Sequence, residues 1–188
     1  MNCRKTTLAA GIILGLGIIV LMEPSCSKSS TAARPTLYDS LGGTVMVSDP
    51  DPANAGQKIE AGRLGIRQVV DSAIFIIAGD AQINGYFTVL LSEVGSGNLS
   101  GYQALSKNLT DFVCVATGAK DFSYTGKTMT AAHNPTTNSR ISMTVDSADF
   151  NEFVKDVAAS ATKLGVPSNL IASLGALLYT VESQVVQR

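Results

Sequence analysis

Past residue 60, apolar side chains recur at steps of three and four residues, the spacing that gathers them on one face of an α-helix. Four such stripes follow one another, and polar, glycine- or proline-containing segments separate them. The stripes are Ile66, Val69, Val70, Ala73, Ile74 and Ile77; Tyr102, Leu105, Leu109, Phe112 and Val113; Phe150, Phe153, Val154, Val157, Ala158, Ala161 and Leu164; and Leu170, Ile171, Leu174, Leu177, Val181 and Val185. Because only residues 141–145 alternate as a strand would, the pattern predicts an all-α domain.

Turn-forming residues mark where these helices end. Asp146 or Ser147 is suited to cap the start of the third helix, and Gly165 with Pro167 beyond it is suited to close it. Segments 49–56, 95–98 and 134–139 are rich in Pro, Gly, Asn and Ser, so we expect loops there. The unequal spacing of the predicted helices does not suit a plain four-helix bundle.

The N-terminus has the layout of an export signal. Two basic residues precede the apolar run Leu8–Met22, which is shorter than the roughly 20 residues that a membrane span needs. Cys26 follows, and the layout resembles that of a bacterial lipoprotein, in which this cysteine is acylated. Glu23 departs from the lipoprotein pattern, which has leucine there, so cleavage after Ala33 to a soluble product stays open. We assign 1–26 to a signal peptide, 27–36 to a linker and 37–188 to the domain.

Composition narrows the class of protein. The chain has 188 residues, of which 45% are hydrophobic and 15% charged, enough for one domain with a sizeable core. The net charge is −1 and no basic stripe is present, so we expect no nucleic-acid partner. Without Cys3 and Cys26, the domain retains only Cys114, which we interpret as a small core residue.

Several short motifs occur in an order that resembles one protein family. They are Leu37-Tyr38-Asp39-Ser40-Leu41-Gly42-Gly43, residues 65–71, residues 80–87, Tyr124-Thr125-Gly126 with Met129 and His133, residues 145–150 and residues 164–167. This order resembles the group 1 truncated hemoglobins over about residues 37–185. The resemblance implies a truncated globin-like helical sandwich that binds heme b, with His133 as the proximal iron ligand.

His133 is the only histidine of the chain. A neutral imidazole donates one nitrogen to iron, and its other ring N–H then needs an acceptor that fixes the tautomer. We expect that acceptor to be a backbone carbonyl near Met129. The alternative reading of a lone histidine is an ordinary surface or hydrogen-bonded core group.

The resemblance also implies a set of cofactor-binding residues: His133, Phe87, Ile74, Leu105, Leu109, Met129 and Tyr124. Ile74 stands where the family usually has a tyrosine that holds oxygen, and Leu109 where a glutamine is frequent. A pocket without these donors is expected to release oxygen faster and to favour CO or NO. A shift of register would bring Asn108 or Tyr102 to the ligand instead.

Two lysines and two insertions bear on the edge of this pocket. Lys107 or Lys127 is a candidate partner for a heme propionate, although exposed lysines are usually solvated. Relative to the family, residues 44–64 and 134–144 are insertions. The second directly follows His133, so it is placed to reshape the heme edge or to admit a partner.

Three functions remain open from the sequence. We favour a gas-binding protein of the cell envelope, holding O2, CO or NO, exported and anchored in the membrane if Cys26 is acylated, with an unknown reductase as partner. An NO- or peroxide-detoxifying heme enzyme is disfavoured because no distal Tyr, His or Arg is placed for that chemistry. A heme-free globin-like interaction protein of the envelope is the third hypothesis.

Overall fold

The structure is a computed structural model that describes residues 34–188. The predicted signal peptide, Cys26 and residues 27–33 of the predicted linker lie outside the described residues. The helices are α1 (Leu37–Ser40), α2 (Ala61–Gly79), α3 (Thr88–Gly95), α4 (Ser100–Thr117), α5 (Met129–His133), α6 (Ser147–Lys163), α7 (Ser168–Tyr179) and α8 (Glu182–Val185). The strands are β1 (Met46–Ser48) and β2 (Lys58–Glu60), and 3-10 turns occupy Pro52–Asn54 and Asn84–Phe87.

The core forms where α2 packs against α4 and α6. The apolar face predicted for α2 is buried at Ile66, Val70 and Ala73, among others, and Phe150 and Ala161 of α6 complete the same cluster. The prediction of a helical domain is confirmed. The stripes of α2 and α6 supply buried core residues, whereas the stripe of α4 is buried only at Val113, and Leu164, at the end of the third stripe, is 46% exposed. Asp146 is the N-cap of α6, and its Oδ1 accepts a hydrogen bond from the Asp149 amide at 3.0 Å.

The insertion at residues 44–64 contains a small antiparallel hairpin that the sequence pattern did not reveal. In β1 and β2, Val47 faces Ile59, and each strand is three residues long, too short for alternation to be read. Asp49 in the connecting loop accepts two hydrogen bonds from the Arg67 guanidinium, at 2.5 and 3.2 Å, which ties the hairpin to α2. Residues 141–145, the expected strand candidate, form only a single bridge from Val145 to Val186.

The Leu-Tyr-x-x-Leu-Gly-Gly segment is a tight corner at the start of α2. Tyr38 is 1% exposed, and its hydroxyl donates to Glu60 Oε2 at 2.6 Å. Gly42 has φ of +125°, and a Cβ there would lie 2.9 Å from the backbone of Ala61. Only glycine tolerates this positive φ and this close approach to the backbone of Ala61, which explains the glycine at position 42 of the motif.

The C-terminal stripe is divided between two helices. It was predicted as one run, but α7 ends at Tyr179 and the short α8 begins at Glu182. Within residues 34–188, no individual helix has the length and apolar character to cross a membrane; Ala61–Gly79 and Asn84–Gly95 satisfy that test only as a pair bent by 104°.

Candidate functional site

A cavity of about 380 Å³ lies among α4, α5, α6 and the loop that precedes α6. Six of the seven expected cofactor-binding residues line it: His133, Phe87, Leu105, Leu109, Met129 and Tyr124. Further apolar lining comes from Ile83, Leu90, Phe112, Ile141, Val145, Phe150, Phe153, Leu178, Val181 and Val185. The volume and the predominance of apolar and aromatic side chains are those of a small-molecule or cofactor site.

His133 enters this cavity with one ring nitrogen already bonded. Its Nδ1 lies 2.8 Å from the carbonyl oxygen of Met129, one helical turn earlier, and this confirms the expected acceptor. A carbonyl only accepts, so Nδ1 carries the proton and Nε2 keeps its lone pair. Burial lowers the pKa of His133 below its ordinary value of 6.5, so the ring is neutral near pH 7.

The loop that follows α5 holds the end of this five-residue helix. Asn138 Nδ2 donates to the carbonyl of Ala132 at 2.6 Å, and Thr137 Oγ1 donates to that of Ala131 at 2.7 Å. These carbonyls belong to the last turn of α5, whose acceptors have no partner inside the helix. The insertion at 134–144 therefore caps the helix that carries His133.

The Tyr-x-Gly motif before α5 is explained by close packing. The Tyr124 hydroxyl donates to the Lys127 carbonyl at 2.6 Å, which folds its ring back over Gly126. A Cβ at Gly126 would lie 2.6 Å from that ring, closer than real Cβ contacts. The Tyr124 ring also packs against the ring of Phe112 of α4, edge to face, with centroids 5.8 Å apart.

Along α4, the lining is apolar with one exception. Leu105 and Leu109 line the cavity as expected, and Asn108 between them contributes an amide. Tyr102, the other alternative donor, is not among the lining residues; its ring lies 6.0 Å from that of Phe75. The side of the pocket that faces the bound gas was expected to be entirely apolar, whereas Asn108 makes the α4 wall of the cavity partly polar.

Ile74 is the expected residue that the structure leaves out of the cavity. It is half-buried on α2 and packs against the core cluster, and no residue of α2 lines the cavity. The buried face of α2, with Ile66 and Val70, instead lines a separate cavity of about 90 Å³. The position of Ile74 beside the bound gas was inferred from an ungapped comparison with the family, and it stays a prediction.

Cationic side chains stand at the solvent edge of the cavity. Lys127 and Arg140 both line it, and the Arg140 Nε lies 3.1 Å from Glu93 Oε2 of α3. The Lys127 ammonium donates to the Thr137 carbonyl. Lys107, the other lysine considered, is not a lining residue and pairs with Asp111 at 2.6 Å.

A polar network closes another part of the lining. The Tyr86 hydroxyl donates to Asp149, and Arg188 lies 3.2 Å from both groups. Burial and the hydrogen bond to Asp149 raise the pKa of Tyr86 to about 12. Tyr86 thus stays protonated and fixes the start of α6 to the C-terminus.

The second insertion was expected to reshape the edge of the pocket or to admit a partner, but the sequence did not indicate which of its residues would line the cavity. Asn138, Ser139, Arg140 and Ile141 all line it. Nothing local in a Pro/Asn/Thr-rich loop indicates which side of the fold it covers. Its place directly after His133 was the one usable signal.

The comparisons with known proteins bear on the fold. No protein-family model and no curated protein matches the sequence. Among solved structures, the truncated hemoglobin of Tetrahymena pyriformis in the Fe(III) form is similar, with a TM-score of 0.58 at 18% identity, covering 82% of this chain and 100% of that one. The 2/2 hemoglobin of Synechococcus sp. PCC 7002, in the cyanomet state with covalently attached heme, gives 0.57 at 17% over the same shares. The chain therefore has a truncated globin fold.

Proposed function

We propose that this protein binds heme b in the 380 Å³ cavity and holds the iron through Nε2 of His133. The observation that carries the proposal is the hydrogen bond between His133 Nδ1 and the Met129 carbonyl, at 2.8 Å. This bond places a proton on Nδ1, and in the neutral ring that burial favours, Nε2 is left free as a metal ligand. Second-shell acceptors of this kind orient metal-binding histidines. Imidazole is a suitable ligand for iron, as it is for zinc, copper and nickel.

The residues present fit this cofactor. The aromatic and aliphatic lining, which includes Phe87 and Leu105, suits a flat apolar macrocycle, and Lys127 and Arg140 provide cations for its two carboxylates. Heme iron held by one histidine supplies an open coordination position for a diatomic gas. The chain supplies a site that excludes bulk water on the α4 side through Leu105 and Leu109.

The gas that such a site favours follows from its donors. Asn108 is the one amide on the α4 wall, and it lies between two leucines. A single amide stabilises bound oxygen less than the tyrosine and glutamine of the family pattern, because each donor contributes about 1 kcal/mol. We infer a carrier or sensor that favours CO or NO over oxygen, and that acts as a binding protein more than as an enzyme.

We also propose that the protein acts outside the cytoplasm. The signal-like segment 1–26 supports export to the cell envelope or periplasm, with Cys26 acylated and the globin domain anchored to the membrane. A Cys26→Ser variant would then move from the membrane fraction to the soluble fraction. An unchanged distribution would exclude the lipid anchor. A reductase in the same compartment is the expected partner.

Heme titration of the full chain tests the proposed function. We expect one heme per chain, a sharp Soret band in the ferric and ferrous forms, and a shift of that band with CO. His133→Ala should fold yet lose the band, whereas Lys107→Ala, outside the cavity, should keep it. If the full chain takes up no stoichiometric heme, the proposal fails and a heme-free interaction protein is favoured.

A further inference from the structure

Three carboxylates, two partly exposed and one buried, meet where α2 ends beside α6. Asp80 is the first residue after α2, and Glu152 and Asp156 lie one turn apart on α6. One carboxylate oxygen from each of the three lies within 4.8 Å of the others. Three like charges this close repel one another unless a positive charge or a proton offsets them.

The burial of Asp156 is an independent indication that this group binds a ligand. Its residue is 8% exposed, and its Oδ2 is buried with no hydrogen-bond partner among residues 34–188. A buried carboxylate oxygen without a partner is costly, so native structures normally satisfy it. Burial, followed by the charges of Asp80 and Glu152, raises the pKa of Asp156.

Nearby groups leave these carboxylates largely uncompensated. Lys155, on the same helix, lies 2.7 Å from Glu152 Oε2, but its side chain is 70% exposed, and such pairs contribute little. The backbone N–H of Gln82 donates to Asp80 Oδ1 at 2.8 Å. Neither contact reaches Oδ2 of Asp156.

We propose that Asp80, Glu152 and Asp156 form a binding site for a divalent cation, with Ca²⁺ as the preferred ion. Ca²⁺ takes oxygen ligands at about 2.3–2.6 Å, so two oxygens on one ion lie up to about 5 Å apart, and the observed spacing satisfies this limit. The three donors are all oxygen, which disfavours Zn²⁺. With three carboxylates and water as ligands, we expect a Kd for Ca²⁺ like that of extracellular calcium-binding modules, about 10⁻⁴–10⁻³ M.

A bound ion would join the C-terminal end of α2 to the middle of α6. These two helices form a principal interface of the core, and the site lies outside the 380 Å³ cavity. Calcium is therefore expected to stabilise the fold whether or not heme is bound. The proposal does not depend on the function proposed above.

Thermal unfolding of the full chain, first depleted of metal with EDTA, tests this site. About 10 mM CaCl2 should raise Tm by about 3–10 °C, since that concentration is about 10–100 times the expected Kd. Asp156→Asn should have a higher Tm than wild type in EDTA, because the buried charge is gone. Calcium should not raise the Tm of this variant. Asp121→Asn, an exposed carboxylate elsewhere, should respond like wild type.

Two further measurements keep the test decisive. Asp80→Asn, on the other helix, should also lose the calcium response, and it serves if Asp156→Asn does not fold. Calorimetric titration with CaCl2 should give one ion per chain, and MgCl2 should raise Tm less. The proposal is overturned if calcium leaves the wild-type Tm unchanged, or if both variants respond as wild type does.

Discussion

The loop after α5 should control how firmly His133 is held. Two side-chain bonds join this loop to the last carbonyls of α5: Asn138 to Ala132 at 2.6 Å and Thr137 to Ala131 at 2.7 Å. A five-residue helix is not stable by itself, so its position depends on such contacts. Replacing both side chains, in the double variant Asn138→Ala/Thr137→Val, removes both bonds. It also removes the contacts that these side chains make inside the loop, with the Arg140 amide and the Asn134 carbonyl.

The size of the effect follows from these two bonds. Each contributes about 1 kcal/mol net, so the double variant should lose about 2 kcal/mol of the free energy that holds α5 in place. That free energy corresponds to a factor of about 30 in an equilibrium constant. Because only the docked helix presents His133, the Kd for heme should rise by up to about 30-fold.

Heme transfer to an acceptor protein, followed at the Soret band, measures this affinity. Thr136→Val is the matched control, since its hydroxyl bonds to Asn134 within the loop at 2.7 Å and does not reach α5. The control should keep wild-type affinity within about twofold, less than the effect of one net hydrogen bond. If the double variant binds heme as tightly as the control does, the loop does not position His133, and this reasoning is wrong.

Three further predictions test separate parts of the structure. Gly126→Ala should destabilise the fold by about 1–3 kcal/mol in urea unfolding, because its Cβ would lie 2.6 Å from the Tyr124 ring; an unchanged midpoint would contradict that packing. Leu109→Gln should slow oxygen release in stopped-flow measurements more than Ile74→Tyr does, since Leu109 alone of the two lines the cavity; the reverse order would return Ile74 to the ligand side. The arginine partner on α2 lowers the pKa of Asp49, so the pair stabilises the fold above about pH 4 and the benefit is lost as pH falls. The stability difference between wild type and Asp49→Asn should thus shrink from pH 6 to pH 3, and a constant difference would refute the assignment.

Sequence patterns predicted those features of the structure that depend on residues close together in the chain. The stripe with Ile66, Val70 and Ala73 predicted the buried face of α2, because helical periodicity depends on neighbours three and four residues away. The contact from His133 to Met129 was predictable for the same reason, since it spans one turn. Asp146 could be named as one of two possible caps from its side chain alone.

Long-range packing decided the rest. The ion pair from Arg140 to Glu93 joins positions 47 residues apart, and no pattern in either segment indicates it. The hairpin at 46–60 is joined to α2 by the bond from Arg67 to Asp49, 18 residues away, and no local pattern indicates this contact. Ile74 was assigned by an ungapped comparison along α2, but whether any part of α2 reaches the cavity is set by how the helix packs.

The central claim is that Nε2 of His133 binds heme iron. His133→Gly leaves space where the imidazole was, so free imidazole added to the heme-reconstituted full-length variant can replace the missing ring. We predict that the ferrous and ferrous-CO spectra of His133→Gly differ from wild type and return to it with imidazole. A variant that shows wild-type spectra without imidazole would contradict the claim, because another residue would then hold the iron.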